Sequence, residues 1–114
     1  MQLAVPPGSE DVARRFYVGV LGMEEIPKPP TLAGRGGLRL RLASLELHLG
    51  VEAEFRAARK AHPAFEVDDL GALRRRLEGT GAAVQDDELL PGRSRFYTHD
   101  PFGNRLEFLA REPR

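Results

Sequence analysis

The chain has 114 residues, of which 41% are hydrophobic and 30% are charged. This length predicts one domain rather than two independent ones, and the composition is that of an ordinary soluble globule. Its 17 basic and 17 acidic residues balance, so the net charge gives no sign of nucleic-acid binding. Cysteine does not occur, which excludes disulfides and thiolate chemistry.

No signal peptide is recognisable, and no apolar run approaches the roughly 20 residues that a membrane-spanning helix needs. We therefore expect a cytoplasmic protein. Arginine greatly outnumbers lysine, which occurs only as Lys28 and Lys60. Together with abundant alanine, glycine and leucine, this usage favours a GC-rich bacterial genome.

The first half of the chain predicts a strand, a helix, a second strand and a hairpin. Residues 2–5 form the first strand, and Ser9 can cap the helix, which ends at Gly22. The apolar stripe of this helix consists of Val12, Phe16, Val20 and less regularly Ala13. The second strand covers 23–26, a proline- and glycine-rich loop follows at 28–37, and the hairpin pairs 38–42 with 45–49.

The second half repeats this plan at a spacing of about 60 residues. Residues 62–67 form a strand, and Asp68 or Asp69 caps a helix that ends near Gly79 and Gly81. The apolar positions of the helix include Leu70, Leu73 and Leu77. A weak strand at 84–88 precedes a hairpin of 93–99 with 105–109.

Helices alternating with mostly antiparallel strands predict the α+β class. We expect a single domain in which module one covers residues 1–50 and module two covers 62–114. Residues 51–61 link the modules and could hold one helical turn. The predicted core between sheet and helix contains Leu40, Leu47, Leu106, Phe108, Phe16 and Leu73.

The segment 96–109, Phe-Tyr-Thr-His-Asp-Pro-Phe-Gly-Asn-Arg-Leu-Glu-Phe-Leu, is the most informative part of the chain. The residues from Asp100 to Asn104 have the chemistry of a tight turn. Alternation then places Glu107 on the face opposite Leu106. A carboxylate on the inner face of a strand is costly to bury without a cation, a metal or a donor. Glu107 is therefore either a ligand or part of a polar pocket.

This segment closely resembles the C-terminal signature of the vicinal oxygen chelate superfamily. That group includes glyoxalase I, extradiol ring-cleaving dioxygenases, fosfomycin resistance thioltransferases and bleomycin resistance proteins. Its pattern Asp-Pro-x-Gly-Asn-x-Leu-Glu ends the last βαβββ module, and the Glu is usually a metal ligand. The resemblance implies two βαβββ modules forming a cup-shaped mixed sheet with the helices outside. It says almost nothing about the reaction.

Alternation separates two faces of the first hairpin. One face carries only leucines, at positions 38, 40, 42, 45, 47 and 49, and must pack on the helices. The other face carries Arg39, Arg41, Glu46 and His48. In an isolated sheet this polar face would meet solvent, whereas the resemblance implies that it lines a ligand cavity.

The resemblance also suggests metal ligands. Aligning the two halves on Leu-Glu makes Glu46 the counterpart of Glu107, and His62 stands in a sequence similar to the His-x-Ala-Phe of fosfomycin resistance thioltransferases. It thus implies a divalent ion, Zn, Ni, Mn, Fe or Co, bound by His62, Glu107 and Glu46. The first-strand ligand would fall about two positions before Gln2 by the resemblance, ahead of Met1. Either the start lies upstream, or the ligand is lost, or Gln2 or His48 replaces it.

Simpler interpretations of the same residues stay open. His62 can be a surface histidine at a strand start, and His99 a turn residue rather than a ligand. His48 can be the hydrogen-bond partner of Glu46, a ligand or a catalytic base. The arginines can pair with carboxylates in a network without activity, or hold a substrate anion together with Tyr97. The arginines concerned are Arg39, Arg41, Arg95 and Arg105, and the carboxylates are Glu46, Glu66 and Glu107.

Two functions follow from the resemblance. One is a metal-dependent lyase, isomerase, dioxygenase or thioltransferase with His48 or Glu46 as the catalytic base, acting on a small oxygen-bearing molecule. The other is a metal-free protein that binds or sequesters a small molecule, as bleomycin resistance proteins do. A purely structural or partner-binding domain fits the polar face less well. In each case we expect a homodimer, because each four-stranded sheet has edges to cover.

Overall fold

Strands and helices follow one another in the order of two βαβββ modules. The computed structural model describes residues 1–28, 36–86 and 94–110. Module one contains β1 (Gln2–Val5), the helix α1, β2 (Glu24–Glu25), β3 (Leu38–Leu42) and β4 (Leu45–Val51). Helix α1 begins as one α-helical turn at Glu10–Ala13 and continues as π-helical turns over Arg14–Val20.

Module two repeats this order with a longer, regular helix. It contains β5 (Ala64–Val67), α2 (Leu70–Gly79), β6 (Gln85–Asp86), β7 (Arg95–His99) and β8 (Arg105–Ala110). Asp69 caps α2 by accepting a hydrogen bond from the Ala72 amide at 2.9 Å. Neither helix of the described residues has the length and apolar character to cross a membrane.

Each module forms one four-stranded mixed sheet. The strand orders are β1-β4-β3-β2 and β5-β8-β7-β6, with the first strand of each module parallel to the last and the other pairs antiparallel. The predicted α+β class and paired βαβββ modules are confirmed. Within one chain, the two sheets do not close on each other.

The core lies where the leucine faces of the sheets meet the helices, and it is continuous between the modules. All six residues predicted for it are buried: Phe16, Leu40, Leu47, Leu73, Leu106 and Phe108. Leu45, predicted on the same face as Leu47, is instead 38% exposed at the start of β4. The leucine stripe therefore extends beyond the area that the helices cover.

Helix α1 departs from the predicted amphipathic stripe. Val12 is 41% exposed, while Tyr17, which an α-helical stripe omits, is fully buried. The π-helical turns cause this difference, because an i→i+5 bonding pattern rotates the following side chains around the axis. Ser9 precedes the helix as predicted, but its hydroxyl donates to the carbonyl of Pro6 at 2.6 Å and does not cap.

Three further predictions differ from the structure at element boundaries. The second strand is two residues long rather than four, and β5 begins at Ala64, after Pro63, rather than at His62. Residues 52–61 contain turns and bends but no helical turn. Parts of the predicted loop at 28–37, of the strand at 84–88 and of the hairpin beginning at 93 lie outside the described residues.

The turn at 100–104 joins the two modules. Asp100, which is 5% exposed, accepts a hydrogen bond from the Tyr17 hydroxyl at 2.7 Å. The fully buried Asn104 donates to the carbonyl of Ala4 in β1 at 2.9 Å and accepts from the amide of Ala58 at 2.8 Å. The signature turn therefore connects β1, α1 and the linker, as well as closing its own hairpin.

Candidate functional site

A polar cluster lies on the face of the second sheet opposite the helix. Strand pairing brings it together, because Glu107 in β8 stands opposite Tyr97 in β7 and opposite Ala64 in β5. Arg95 lies two residues before Tyr97 and therefore on the same face. His62 precedes β5 by two residues and reaches the same place.

Glu107 is the centre of this cluster and is only 6% exposed. One of its carboxylate oxygens lies 2.8 Å from His62 Nε2, and the other accepts a hydrogen bond from the Arg95 guanidinium at 3.2 Å. A buried carboxylate is costly unless charged partners surround it. Here both oxygens have such a partner, which explains how an acidic residue is accommodated among buried side chains.

The His62 ring is held between two acceptors. Its Nδ1 lies 2.8 Å from the carbonyl oxygen of Lys60, and its Nε2 lies 2.8 Å from Glu107. A carbonyl and an ionised carboxylate can only accept, so the ring makes both hydrogen bonds when it carries both protons. This geometry favours a local charge pattern of Arg95⁺, Glu107⁻ and His62⁺.

Tyr97 forms the wall beside these charges. Its ring meets the His62 ring edge-on, with the centroids 5.4 Å apart. The guanidinium carbons of Arg105 and Arg95 lie 3.9 Å and 5.5 Å from the Tyr97 ring centroid, within cation–π range. The sequence analysis expected Arg105 to pair with a carboxylate, and its stacking on Tyr97 was not foreseen.

The predicted residues of the first sheet form separate pairs. Arg39 donates to Glu46 at 2.8 Å and to the carbonyl of Pro27 at 3.3 Å, and Arg41 donates to Glu24 at 3.0 Å. His48 stands between Gln2 and Arg39 in the sheet. His99 is exposed at the end of β7, opposite Arg105.

Strand register corrects the alignment of the two modules. The last pair of each parallel ladder is Val5 with Val51 and Val67 with Ala110, and counting back from these ends places His48, not Glu46, at the position of Glu107. The Leu-Glu alignment is therefore wrong by two residues. It kept the correct face, because a shift of two preserves alternation.

The residues present do not fit a tightly held metal ion. His62 and Glu107, the two predicted ligands that meet, use their donor atoms on each other, on Lys60 and on Arg95. Residues 1–28, 36–86 and 94–110 contain no group of three or more His, Cys, Asp or Glu placed to hold an ion, so Glu46 does not join this pair. Two donors satisfied by protein groups leave few lone pairs for a cation.

Comparison with known proteins gives the family. A sequence model described as Glyoxalase/Bleomycin resistance protein/Dioxygenase superfamily matches residues 2–108. A solved structure of a glyoxalase family protein from Bacillus anthracis has 46% identity and a TM-score of 0.93, covering 97% of this chain and 91% of that one. The chain belongs to the glyoxalase/bleomycin resistance protein/dioxygenase superfamily, which confirms the predicted resemblance.

More distant structures show the fold alone. A lactoylglutathione lyase from Agrobacterium tumefaciens has 24% identity and a TM-score of 0.70, with 96% of this chain and 91% of that chain covered. The genomically encoded fosfomycin resistance protein FosX from Listeria monocytogenes has 16% identity and a TM-score of 0.76, covering 97% and 89%. No protein among the curated ones matches the chain significantly.

Proposed function

We propose that this protein binds a small oxygen-bearing molecule on the polar face of the second sheet and does so without a tightly held metal. The observation that carries the proposal is the state of Glu107, whose two oxygens are engaged by His62 and Arg95. The predicted counterpart on the first sheet, Glu46, is likewise engaged by Arg39. This pattern supports a metal-free binding or sequestering protein of the bleomycin-resistance kind.

The same cluster suggests which part of a ligand would be recognised. Tyr97 offers an aromatic face already flanked by two guanidinium groups, those of Arg95 and Arg105. A flat or anionic group placed there would meet a positive edge and a large apolar surface together. Arg39 and Arg41 are the proposed further contacts from the first sheet, and both carry carboxylate partners that a ligand anion would have to replace.

Metal titration tests this proposal. Protein purified without chelators should contain much less than one equivalent of Zn, Ni, Mn, Fe or Co, and added Ni²⁺ should bind weakly in calorimetry. Glu107→Gln should leave this weak binding nearly unchanged, as should Glu52→Gln, the matched control at an exposed carboxylate. One tightly bound ion per chain that disappears in Glu107→Gln but not in Glu52→Gln would overturn the metal-free proposal.

A second candidate is a metal-dependent lyase, isomerase, dioxygenase or thioltransferase. The observation in its favour is the meeting of His62 with Glu107 at 2.8 Å, the two side chains that the resemblance names as ligands. Strand register offers His48 as a further donor in place of Glu46. The same titration distinguishes the candidates, since only this one requires His62 and Glu107 to exchange their present partners for the ion.

We further propose that the functional form is a homodimer. The two sheets of one chain remain unclosed, and each has strands with free edges among the described residues. A second copy that covers the polar face would remove water from around Glu107 and strengthen its charge pairs.

A further inference from the structure

A cavity in module one has features that the proposed site on the second sheet does not explain. It has a volume of ≈ 600 Å³ and lies between the start of α1 and the β2–β3 side of the first sheet. Small-molecule sites commonly fall in the range of about 300–1,000 Å³. The residues that matter for its chemistry are Glu10, Arg14, Glu25, Lys28, Gly36 and Arg39.

One wall of this cavity carries an acceptor without a partner. Oε1 of Glu10 is buried and makes no hydrogen bond. Burying a carboxylate oxygen in this way is costly, and such orphaned atoms are rare in folded proteins unless a water, ion or ligand completes them. The position of Glu10, at the first residue of α1, directs a negative charge towards the cavity.

Another part of the wall carries a donor without a partner. Arg39 uses its terminal nitrogens to bind Glu46 and the carbonyl of Pro27, but its Nε–H is buried and makes no hydrogen bond. A guanidinium can donate five hydrogen bonds in a planar arrangement, and Nε and a terminal nitrogen together match a carboxylate. The cavity thus presents one unused acceptor and one unused donor.

The remaining charges on the wall are already paired. Arg14 donates to Glu25 at 2.9 Å and to Asp11 at 3.0 Å, and Lys28 Nζ donates to the carbonyl of Gly37 at 3.3 Å. These contacts leave the Glu10 oxygen and the Arg39 Nε–H as the unsatisfied atoms among the described charged groups of this cavity.

A glycine keeps the space beside Glu10 open. A Cβ added to Gly36 would lie 3.5 Å from Oε2 of Glu10 and 2.8 Å from Cγ2 of Val51. Any larger residue at position 36 would therefore press on Val51 and narrow the cavity beside the carboxylate.

We propose that this cavity binds a small zwitterion, an amino acid whose ammonium group donates to Glu10 and whose carboxylate accepts from Arg39. A single such molecule satisfies both orphaned atoms and adds no net charge to the cavity. A simple carboxylate or a simple amine satisfies only one of them and leaves the other buried without a partner. The site is separate from the Glu107 cluster and does not depend on the function proposed for it.

A ligand series on the wild-type chain tests the proposal directly. The probes are glycine, β-alanine and 4-aminobutyrate, which increase the distance between the two charges, with butyrate and butylamine as single-charge controls. In ¹H–¹⁵N spectra the amides of Gly8, Gly36 and Gly37 should shift with at least one zwitterion. Butyrate and butylamine should bind about tenfold more weakly or worse, since each loses one charged hydrogen bond. Water alone fills the cavity if no zwitterion shifts these amides, or if butyrate binds equally well, and either result overturns the proposal.

Variants then assign the two contacts. Glu10→Gln and Arg39→Gln should each reduce the affinity of the best zwitterion about tenfold or more. Glu52→Gln and Arg41→Gln are the matched controls, because both change an exposed charge outside this cavity, and Arg41 lies two residues from Arg39 on the same strand. Glu107→Gln should also leave the shifts unchanged, so failure of this proposal is distinguishable from failure of the proposed function. Equal loss in Arg41→Gln and Arg39→Gln would contradict the assignment.

Discussion

Tyr17 is the residue whose chemistry the fold changes most. Burial raises the pKa of the Tyr17 phenol far above its ordinary value of 10.0, and the charge of Asp100 and their hydrogen bond raise it further. The hydroxyl therefore remains a donor to Asp100 wherever the protein is folded. Its partner belongs to the signature turn, so this single bond links α1 to the most informative segment of the sequence.

We expect Tyr17→Phe to expose this linkage through pH. A group whose pKa is raised by folding stabilises the native state below its unfolded pKa, and that stability is lost as the pH rises above it. The wild-type free energy of unfolding should thus fall above about pH 10, where only the unfolded phenol ionises. In Tyr17→Phe this fall should be smaller, while the stability at pH 7 should be lower by about 1.5–3 kcal/mol.

Urea unfolding at pH 7, 9 and 10.5 measures both effects. Tyr97→Phe is the matched control, since Tyr97 is the second tyrosine of the chain and lies away from Asp100. Equal pH dependence of the wild type and Tyr17→Phe would contradict the expected role of the buried phenol.

Leu47 and Leu45 test burial on a single strand. Both lie on the leucine face of β4, but Leu47 is 1% exposed and Leu45 is 38% exposed. Leu47→Ala should lower the free energy of unfolding by about 2–5 kcal/mol, because it leaves a cavity in the core. Leu45→Ala should cost less than about 1 kcal/mol. Chemical denaturation of the two variants measures the difference, and similar losses would show that the helices cover both positions.

At the scale of elements, Gly37 determines where β3 can begin. Its φ is +101°, and an added Cβ would lie 2.0 Å from the carbonyl oxygen of Leu49 in β4. A side chain there meets both an unfavourable backbone conformation and a direct clash with the neighbouring strand.

Gly37→Ala should therefore destabilise the protein much more than a glycine substitution that meets only the conformational cost. Gly81→Ala is the control, since Gly81 has a φ of +82° and nothing lies within 4 Å of its added Cβ. We expect about 1–2 kcal/mol for Gly81→Ala and a larger loss, with weakened β3–β4 pairing in hydrogen exchange, for Gly37→Ala. Equal losses in thermal unfolding would mean that β4 moves aside without cost.

The elements also show which local patterns are reliable. Asp69 capped α2 as predicted, because an Asx cap needs only its own residue and the amide three positions on. The stripe of α1 was wrong at Val12 and Tyr17, because π-helical turns arise from packing and hydrogen bonding that a 3.6-residue period does not represent.

At the scale of the whole molecule, the shape of one chain suggests a second copy. The Cα extents are 44 × 28 × 25 Å, which describe an elongated body with two separate sheets. We predict a homodimer in which a second copy covers the polar faces. Multi-angle light scattering at micromolar concentration should give twice the chain mass of 12.6 kDa. A mass of one chain across the concentration range would contradict this prediction.

The sequence by itself determined the fold and the polar face. Alternation of period two, a turn of Asp, Pro, Gly and Asn chemistry and a repeated strand–helix–strand order are local patterns, and each predicts an element without knowledge of its neighbours. They correctly placed the leucines in the core and put Glu107 and Tyr97 on the opposite face.

Only the tertiary structure decided the partners on that face. The hairpin turns differ in length, covering residues 43–44 in one module and 100–104 in the other, so matching dipeptides do not occupy matching positions. Register made His48 the counterpart of Glu107, and strand pairing placed Arg95 and His62 on its two oxygens. These contacts join residues 12 and 45 positions apart, and the physical reason they escaped prediction is that alternation specifies a face but not which neighbouring strand supplies the charge.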